Sequence, residues 1–347
     1  MSLKPTPLSE GFRQPAEWAP HEAVWLAWPS HADLWKEALP PVQEAFADFV
    51  RAIADLDPMG TPRGERIELL AFDEANVALA RERLAGLPVR FRPIPFGDIW
   101  MRDIAPIFVT SERRETAAAV FRFNGWGGKW ILPNDDAVAE RVASASGLRT
   151  FRLPFVLEGG AVEVDGEGTC LTTRPCLLNP NRTGLGDVQI EELLAAGLGV
   201  ETVLWLGDAL VNDHTDGHVD TVARFVGPGR VVCMEPSKGD PNRAALEKIH
   251  RDLASFRDAQ GRRLEVEVVP SPGRVEDTDG KVMAASYVNF YIANTTVTVP
   301  QYGVAADDEA LWRIGNLFPS RRTVGLPAKD LLLGGGAFHC ISQQQPK

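Results

Sequence analysis

The sequence predicts an α/β protein, on three observations. Short apolar runs of strand length alternate with longer runs of helical period along the whole chain. Turn signals such as Asp165-Gly166 and Pro228-Gly229 separate several of them. No apolar run approaches the ~18 residues of a membrane-spanning helix, because charged residues interrupt the chain throughout.

The elements follow in order. EAVWLAWP (22–29) reads as a strand and PPVQEAFADFVRAIADL (40–56) as an amphipathic helix. RIELLAF (66–72) is a strand, EANVALARERLAG a helix, and VRFRPIP, APIFVTS and TAAAVFRFN are three more strands before the helical DDAVAERVASASG. GAVEVDGEGTCLTT (160–173) has the pattern of a hairpin. The grammar then repeats, with DVQIEELLAAGLG, NRAALEKIHRDLASFRDA and DDEALWRIGNLF as helices. Strands are expected around TVLWLG, HVDTVARFV, RVVCMEP, RLEVEVVPSP, YVNFYIANTTVTVP and TVGLPA. No Ser/Gly linker divides the chain, so residues 1–347 are expected to form one domain built of strand-strand-helix-strand units.

Charge narrows the function. Lys and Arg total 36 against 47 Asp and Glu, giving a net charge of -11 and a pI near 5.1. That balance repels nucleic acid and anionic membranes and favours a cationic small molecule. The start, MSLKPTPLSEGFRQPAEW, lacks the apolar core of a secretion signal, and the four cysteines are expected as reduced thiols in a cytoplasm. Cysteine and histidine spacings match no metal pattern, and neither a GxGxxG nor a P-loop is present. No metal or cofactor is therefore expected. Oligomeric state is open, a homo-oligomer included.

Four segments hold candidate chemistry. In NDHTDGHVDTVARFV (212–226), a strand starting at His218 would place His218 and Asp220 on one face. FGDIWMRDIAPIFV (96–109) gathers Asp98, Trp100, Arg102 and Asp103, readable also as an Arg102 ion pair with Asp98 or Asp103. Glu158 precedes a double glycine, which alone is equally a turn device. The end, LLLGGGAFHCISQQQPK, places Cys340 behind three glycines and beside His339. Cys170, Cys176 and Cys233 lie in or beside apolar runs and read as packed thiols. Cys340, with its glycine-rich approach and polar followers, reads as a nucleophile.

Together DIWMRD, EGG, DGHVD and GGGAFHCISQQQP, in that order, resemble the Porphyromonas-type peptidylarginine deiminase family and within it the agmatine deiminases. PAEWAPHEAVWLAWP, CLLNPNR and SYVNFYIAN extend the resemblance over the chain. It implies a five-bladed pseudo-symmetric α/β propeller, the pentein fold, with its site at the centre. It also implies Cys340 as nucleophile, His218 as general acid and base, Asp103 and Asp220 as guanidinium-binding carboxylates, and Glu158 as a further site residue. The implied substrate is agmatine, with peptidyl-arginine or another alkylguanidine as alternative, and no cofactor is needed. Trp100 and Trp126 are expected to line an apolar slot for the substrate tail. Departures from the usual pattern are Ala105, Arg174, Thr221, Ala337 and Phe338, which leave the four catalytic residues in place. If Arg174 faced the pocket it would pair the carboxylate of free arginine.

Overall fold

The computed structural model describes residues 5–347, so residues 1–4 of the expected domain lie outside the described residues. The strands, in chain order, are β1 (Phe12–Arg13), β2 (His21–Ala27), β3 (Arg66–Ala71), β4 (Val89–Pro93), β5 (Ile107–Ser111), β6 (Thr116–Arg122) and β7 (Arg149–Val156). There follow β8 (Val162–Val164), β9 (Thr169–Thr173), β10 (Thr202–Leu206), β11 (Ala223–Gly227), β12 (Arg230–Glu235) and β13 (Glu265–Pro270). The last are β14 (Tyr291–Ile292), β15 (Thr296–Gln301), β16 (Arg322–Pro327) and β17 (Gln343–Pro346).

Among the described residues they form five sheets, ordered β17-β2-β3-β4, β1-β5-β6-β7, β8-β9-β10, β11-β12-β13 and β14-β15-β16. One rule runs through all of them: an antiparallel pair, then a parallel partner. β5 with β6, β8 with β9, β11 with β12 and β14 with β15 are antiparallel. β7, β10, β13 and β16 then add in parallel. In the remaining sheet β17 is the antiparallel partner of β2 and β3 its parallel one, so the two ends of the chain build one sheet.

A parallel partner needs a crossover, and a helix makes each one: Leu39–Ala54, Glu74–Arg83 (from β3 to its parallel partner β4), Asp135–Ser146, Asp187–Leu198, Arg243–Ser255 and Asp307–Leu317. Each buries a stripe against its sheet, such as Leu246, Ile249 and Leu253 at helical spacing. The main core runs from Val24 to Ile341, with a second cluster around Phe121, Phe151 and Leu194.

Three sequence readings need correction or addition. HVDTVARFV is not one strand. His218 caps a single 3-10 turn, Val219–Thr221, and pairing begins only at Ala223, so His218 and Asp220 owe their placement to that turn rather than to a two-residue period. β7 carries no clear strand signal because Pro154 interrupts it, and as an edge strand of its sheet it tolerates the missing N–H. β17 is written in glutamines and is buried all the same. Gln345 Oε1 accepts from the Trp25 indole at 2.9 Å and Gln344 Oε1 from Arg102 at 2.7 Å, so the chain end is held in a sheet.

Candidate active site

Each sheet sends one segment towards a common point, and it is the same segment each time. Asp103, in the turn Met101–Ile104, precedes β5, and Glu158, before the turn Gly159–Ala161, precedes β8. His218 and Asp220 precede β11, Asn289 precedes β14, and Cys340 precedes β17. In four cases this is the first strand of the antiparallel pair in chain order, and in the fifth it is β17, the antiparallel partner of β2. The sequence names the residues of four of these segments. Asn289, in the fifth, is missed, although SYVNFYIAN is among the resembling motifs.

The side chains meet. The Cys340 sulfur lies 3.5 Å from Asp220 Oδ2 and 3.1 Å from Asn289 Nδ2. His218 Nδ1 is 3.7 Å from Asp103 Oδ1. Asp103 is held by two donors, the Gly160 N–H to Oδ1 at 3.0 Å and the Trp126 indole to Oδ2 at 2.8 Å. Trp126 reaches it from a left-handed backbone (φ 51°), an uncommon conformation for a bulky residue. A Cβ on Gly160 would sit 2.5 Å from His218 Nδ1, 2.9 Å from Asp103 Oδ1 and 3.2 Å from Asp220 Oδ2. The three groups thus surround one point. Asp220 Oδ1 and both nitrogens of His218 are buried without a hydrogen-bond partner, so they are free to bind a ligand. The glycines before Cys340 serve close approach: a Cβ on Gly336 would lie 2.8 Å from the Trp100 ring and 2.9 Å from the Cys340 sulfur.

Electrostatics keep the empty site low in charge. Burial, then Asp220 and Glu158, raise the Asp103 carboxyl well above the usual carboxylate range. Burial also works to raise Asp220, but the hydrogen bond and charge of His339 outweigh it and hold Asp220 low. The two carboxyls are thus pushed apart, Asp103 towards its protonated form and Asp220 towards its ionised form. Burial pulls the His218 imidazole down to about 3 against the attraction of Asp220, so the ring is neutral at physiological pH. Burial, Asp220 and Asp103 push the Cys340 thiol well above its ordinary value. A planar cation entering here would reverse these penalties and find oxygens for its N–H groups.

A further layer holds the dyad. His339 bridges Asp220 Oδ2 at 2.6 Å and Glu17 Oε2 at 2.8 Å, and Arg224 pairs with Glu17 at 2.9 Å and Glu163 at 2.8 Å. Glu158 is tied up by Arg182 at 2.6 Å, so its role beside His218 includes a structural ion pair. The oxygen, sulfur and nitrogen of Glu158, Cys176 and His218 lie within 4.8 Å of one another. The Arg182 guanidinium at the Glu158 oxygen opposes a metal ion there. None of Glu17, His339, Arg182 or Arg224 was singled out from sequence as a site residue.

Above the dyad, a cavity of about 200 Å³ reaches Cys340 and Asp103. Trp100 and Trp126 line it, joined by Trp130, Leu34, Leu132, Leu333 and His214, and no Arg or Lys lines it among the described residues. Arg174 lies elsewhere, stacked 5.4 Å over the Trp205 ring and 3.7 Å from Asp187. The ion pairs read from 96–109 do not form. Asp98 accepts from the Trp35 and Trp100 indoles, while Arg102 turns to Glu17 and Gln344.

Known proteins resemble this chain over nearly its whole length. An agmatine deiminase of Ectopseudomonas mendocina is 38% identical, covering 99% of this chain and 98% of its own. The solved agmatine deiminase of Enterococcus faecalis superposes with a TM-score of 0.91 at 34% identity, over 99% and 98% of the two chains. A Pseudomonas aeruginosa DDAH structure complexed with citrulline shares the α/β fold alone, with a TM-score of 0.52 at 14% identity over 94% and 99%. The family model described as Porphyromonas-type peptidyl-arginine deiminase matches residues 13–346, nearly the whole chain and every segment that reaches the site. This chain belongs to that family.

Proposed function

We propose that this protein hydrolyses agmatine to N-carbamoylputrescine and ammonia through a covalent thiouronium on Cys340. One observation carries the reading: an imidazole and two carboxyls surround one point, the Cys340 thiol lies 3.5 Å from one of those carboxyls, and Cys340 and Asp103 reach an aromatic cavity that neither Arg nor Lys lines. Such a cavity accepts a guanidinium with an aliphatic tail. Free arginine would bring a carboxylate with no cationic partner, at a cost of several kcal/mol.

The guanidinium displaces the proton favoured on Asp103, and Asp103 and Asp220 then hold its N–H groups. Cys340 gives its proton to His218, and the sulfur pair bonds the central carbon while the C=N π pair moves to nitrogen, leaving a neutral tetrahedral adduct. His218 returns the proton to the departing nitrogen. The C–N pair leaves with ammonia, and a remaining nitrogen restores the double bond of the thiouronium. Water then bonds the carbon as His218 takes one of its protons. The C–S bond breaks with its pair on sulfur, which recovers the proton from His218. The other water proton passes to ammonia, and a ureido product is left.

The same reading makes the chain one catalytic domain in which the five sheets are the blades of a closed ring. The shared strand rule and the joining of β17 to β2 support it. A cytoplasmic setting also belongs to it, supported by four free cysteines and by the absence, among the described residues, of a helix long and apolar enough to cross a membrane. Steady-state kinetics on agmatine, arginine and a blocked peptidyl-arginine test the substrate. A higher kcat/KM on either arginine compound would overturn agmatine while leaving the guanidine chemistry.

A further inference from the structure

Asn289 is the contribution of the fifth sheet to the site, and its amide can be oriented without ambiguity. One end lies 3.2 Å from the Ala337 N–H and 3.4 Å from the Cys340 N–H, groups that only donate, so that end is the oxygen. The other faces the Asp220 carbonyl at 3.3 Å, which only accepts, and the Cys340 sulfur at 3.1 Å. A flipped amide would set donor against donor at one end and acceptor against acceptor at the other.

We propose that Asn289 is a further catalytic residue, whose amide N–H donates to the Cys340 sulfur and holds it as a thiolate between the two aspartates. The inference rests on the deiminase reading above. A thiolate here faces Asp220 Oδ2 at 3.5 Å, with Asp103 beside the same point, and both carboxyls oppose its charge. Asn289 supplies the side-chain N–H that offsets them. A Lys or Arg would stabilise the thiolate more strongly but would repel the cationic substrate; a neutral amide avoids that conflict. The place in the fold agrees. Asn289 stands before β14 where Asp103, Glu158 and Asp220 stand before the first strands of their antiparallel pairs and Cys340 before β17, the antiparallel partner of β2.

The test compares Asn289→Asp, which keeps an acceptor for the two backbone N–H groups but removes the donor, with Asn289→Ala, which removes both. Turnover of agmatine and the pH profile of Cys340 alkylation by iodoacetamide are measured together. With hydrogen bonds to charged groups as the guide, kcat falls about 10- to 100-fold in both variants, and in Asn289→Ala KM changes less than about threefold. Alkylation slows and its profile moves to higher pH. A purely structural role would raise KM and lower the melting temperature with the alkylation profile unmoved, and that result overturns the proposal. So does near-normal kcat in Asn289→Asp. Should both variants fail to fold, exchange protection of the Asn289 side-chain amide in the wild type decides, since Cys340→Ala must reduce it and unchanged protection refutes the bond. Alkylation does not depend on which guanidine is the substrate. A wild type that turns over no guanidine therefore overturns the proposed function separately, while the alkylation profiles still decide whether Asn289 tunes the sulfur.

Discussion

Gly160→Ala places one methyl group where the structure has room for none. Its Cβ would lie 2.5 Å from His218 Nδ1 and 2.9 Å from Asp103 Oδ1, so the imidazole must withdraw by about 1 Å to restore ordinary contact. The φ of Gly160 is not positive, and the requirement is for space rather than for backbone freedom. The ring is fully buried, and overpacking a site of this kind costs about 1–3 kcal/mol. A misplacement of about 1 Å in a catalytic group costs roughly 100-fold in rate, and disturbing Asp103 as well carries the loss in kcat/KM to about 100- to 1,000-fold. Ammonia release measured beside a thermal melt separates the two effects, because a shift of only a few degrees should accompany that loss. A Gly160→Ala enzyme within about threefold of wild type, folded and active, would show that the three groups do not share one point and would refute the mechanism's geometry.

Other outcomes follow from the same geometry. Trp126→Phe removes the donor to Asp103 Oδ2 and should lower kcat/KM for agmatine about tenfold or more, read by steady-state kinetics. Cys340→Ser should still bind agmatine and should release a proton on doing so, because burial and neighbours raise the Asp103 carboxyl in the empty site and the cation lowers it again. The complex then holds fewer protons than the free protein, so affinity rises with pH between those two values, as calorimetry in buffers of different ionisation enthalpy can check. Arg174→Ala should leave kcat/KM for agmatine and arginine within about twofold, since Arg174 stacks on Trp205 away from the cavity.

The α/β alternation and every helix of ten or more residues were legible because periodicity is a local signal, whereas four-residue helices such as Met101–Ile104 are too short to show one. β7 and β17 were not: Pro154 and the glutamines Gln343 to Gln345 carry no strand pattern, and both strands exist because a neighbour supplies the pairing. His218 and Asp220 were found for their chemistry, and the strand argument offered for their geometry was incorrect. Asn289, His339 and Glu17 stayed hidden for a different reason. A lone amide or carboxylate gains meaning only from what it faces, and their partners lie 51, 119 and 322 positions away. The same holds for Arg174, whose distance from the pocket no spacing could reveal.

Rapid-quench mass spectrometry of the intact protein mixed with agmatine addresses the central claim most directly. Covalent catalysis by Cys340 gives a transient adduct with the mass of agmatine less one ammonia, mapped to the peptide containing Cys340, formed and lost at rates compatible with turnover and absent in Cys340→Ser. Turnover without such an adduct, or an adduct carried by Cys176 or another residue, would contradict it.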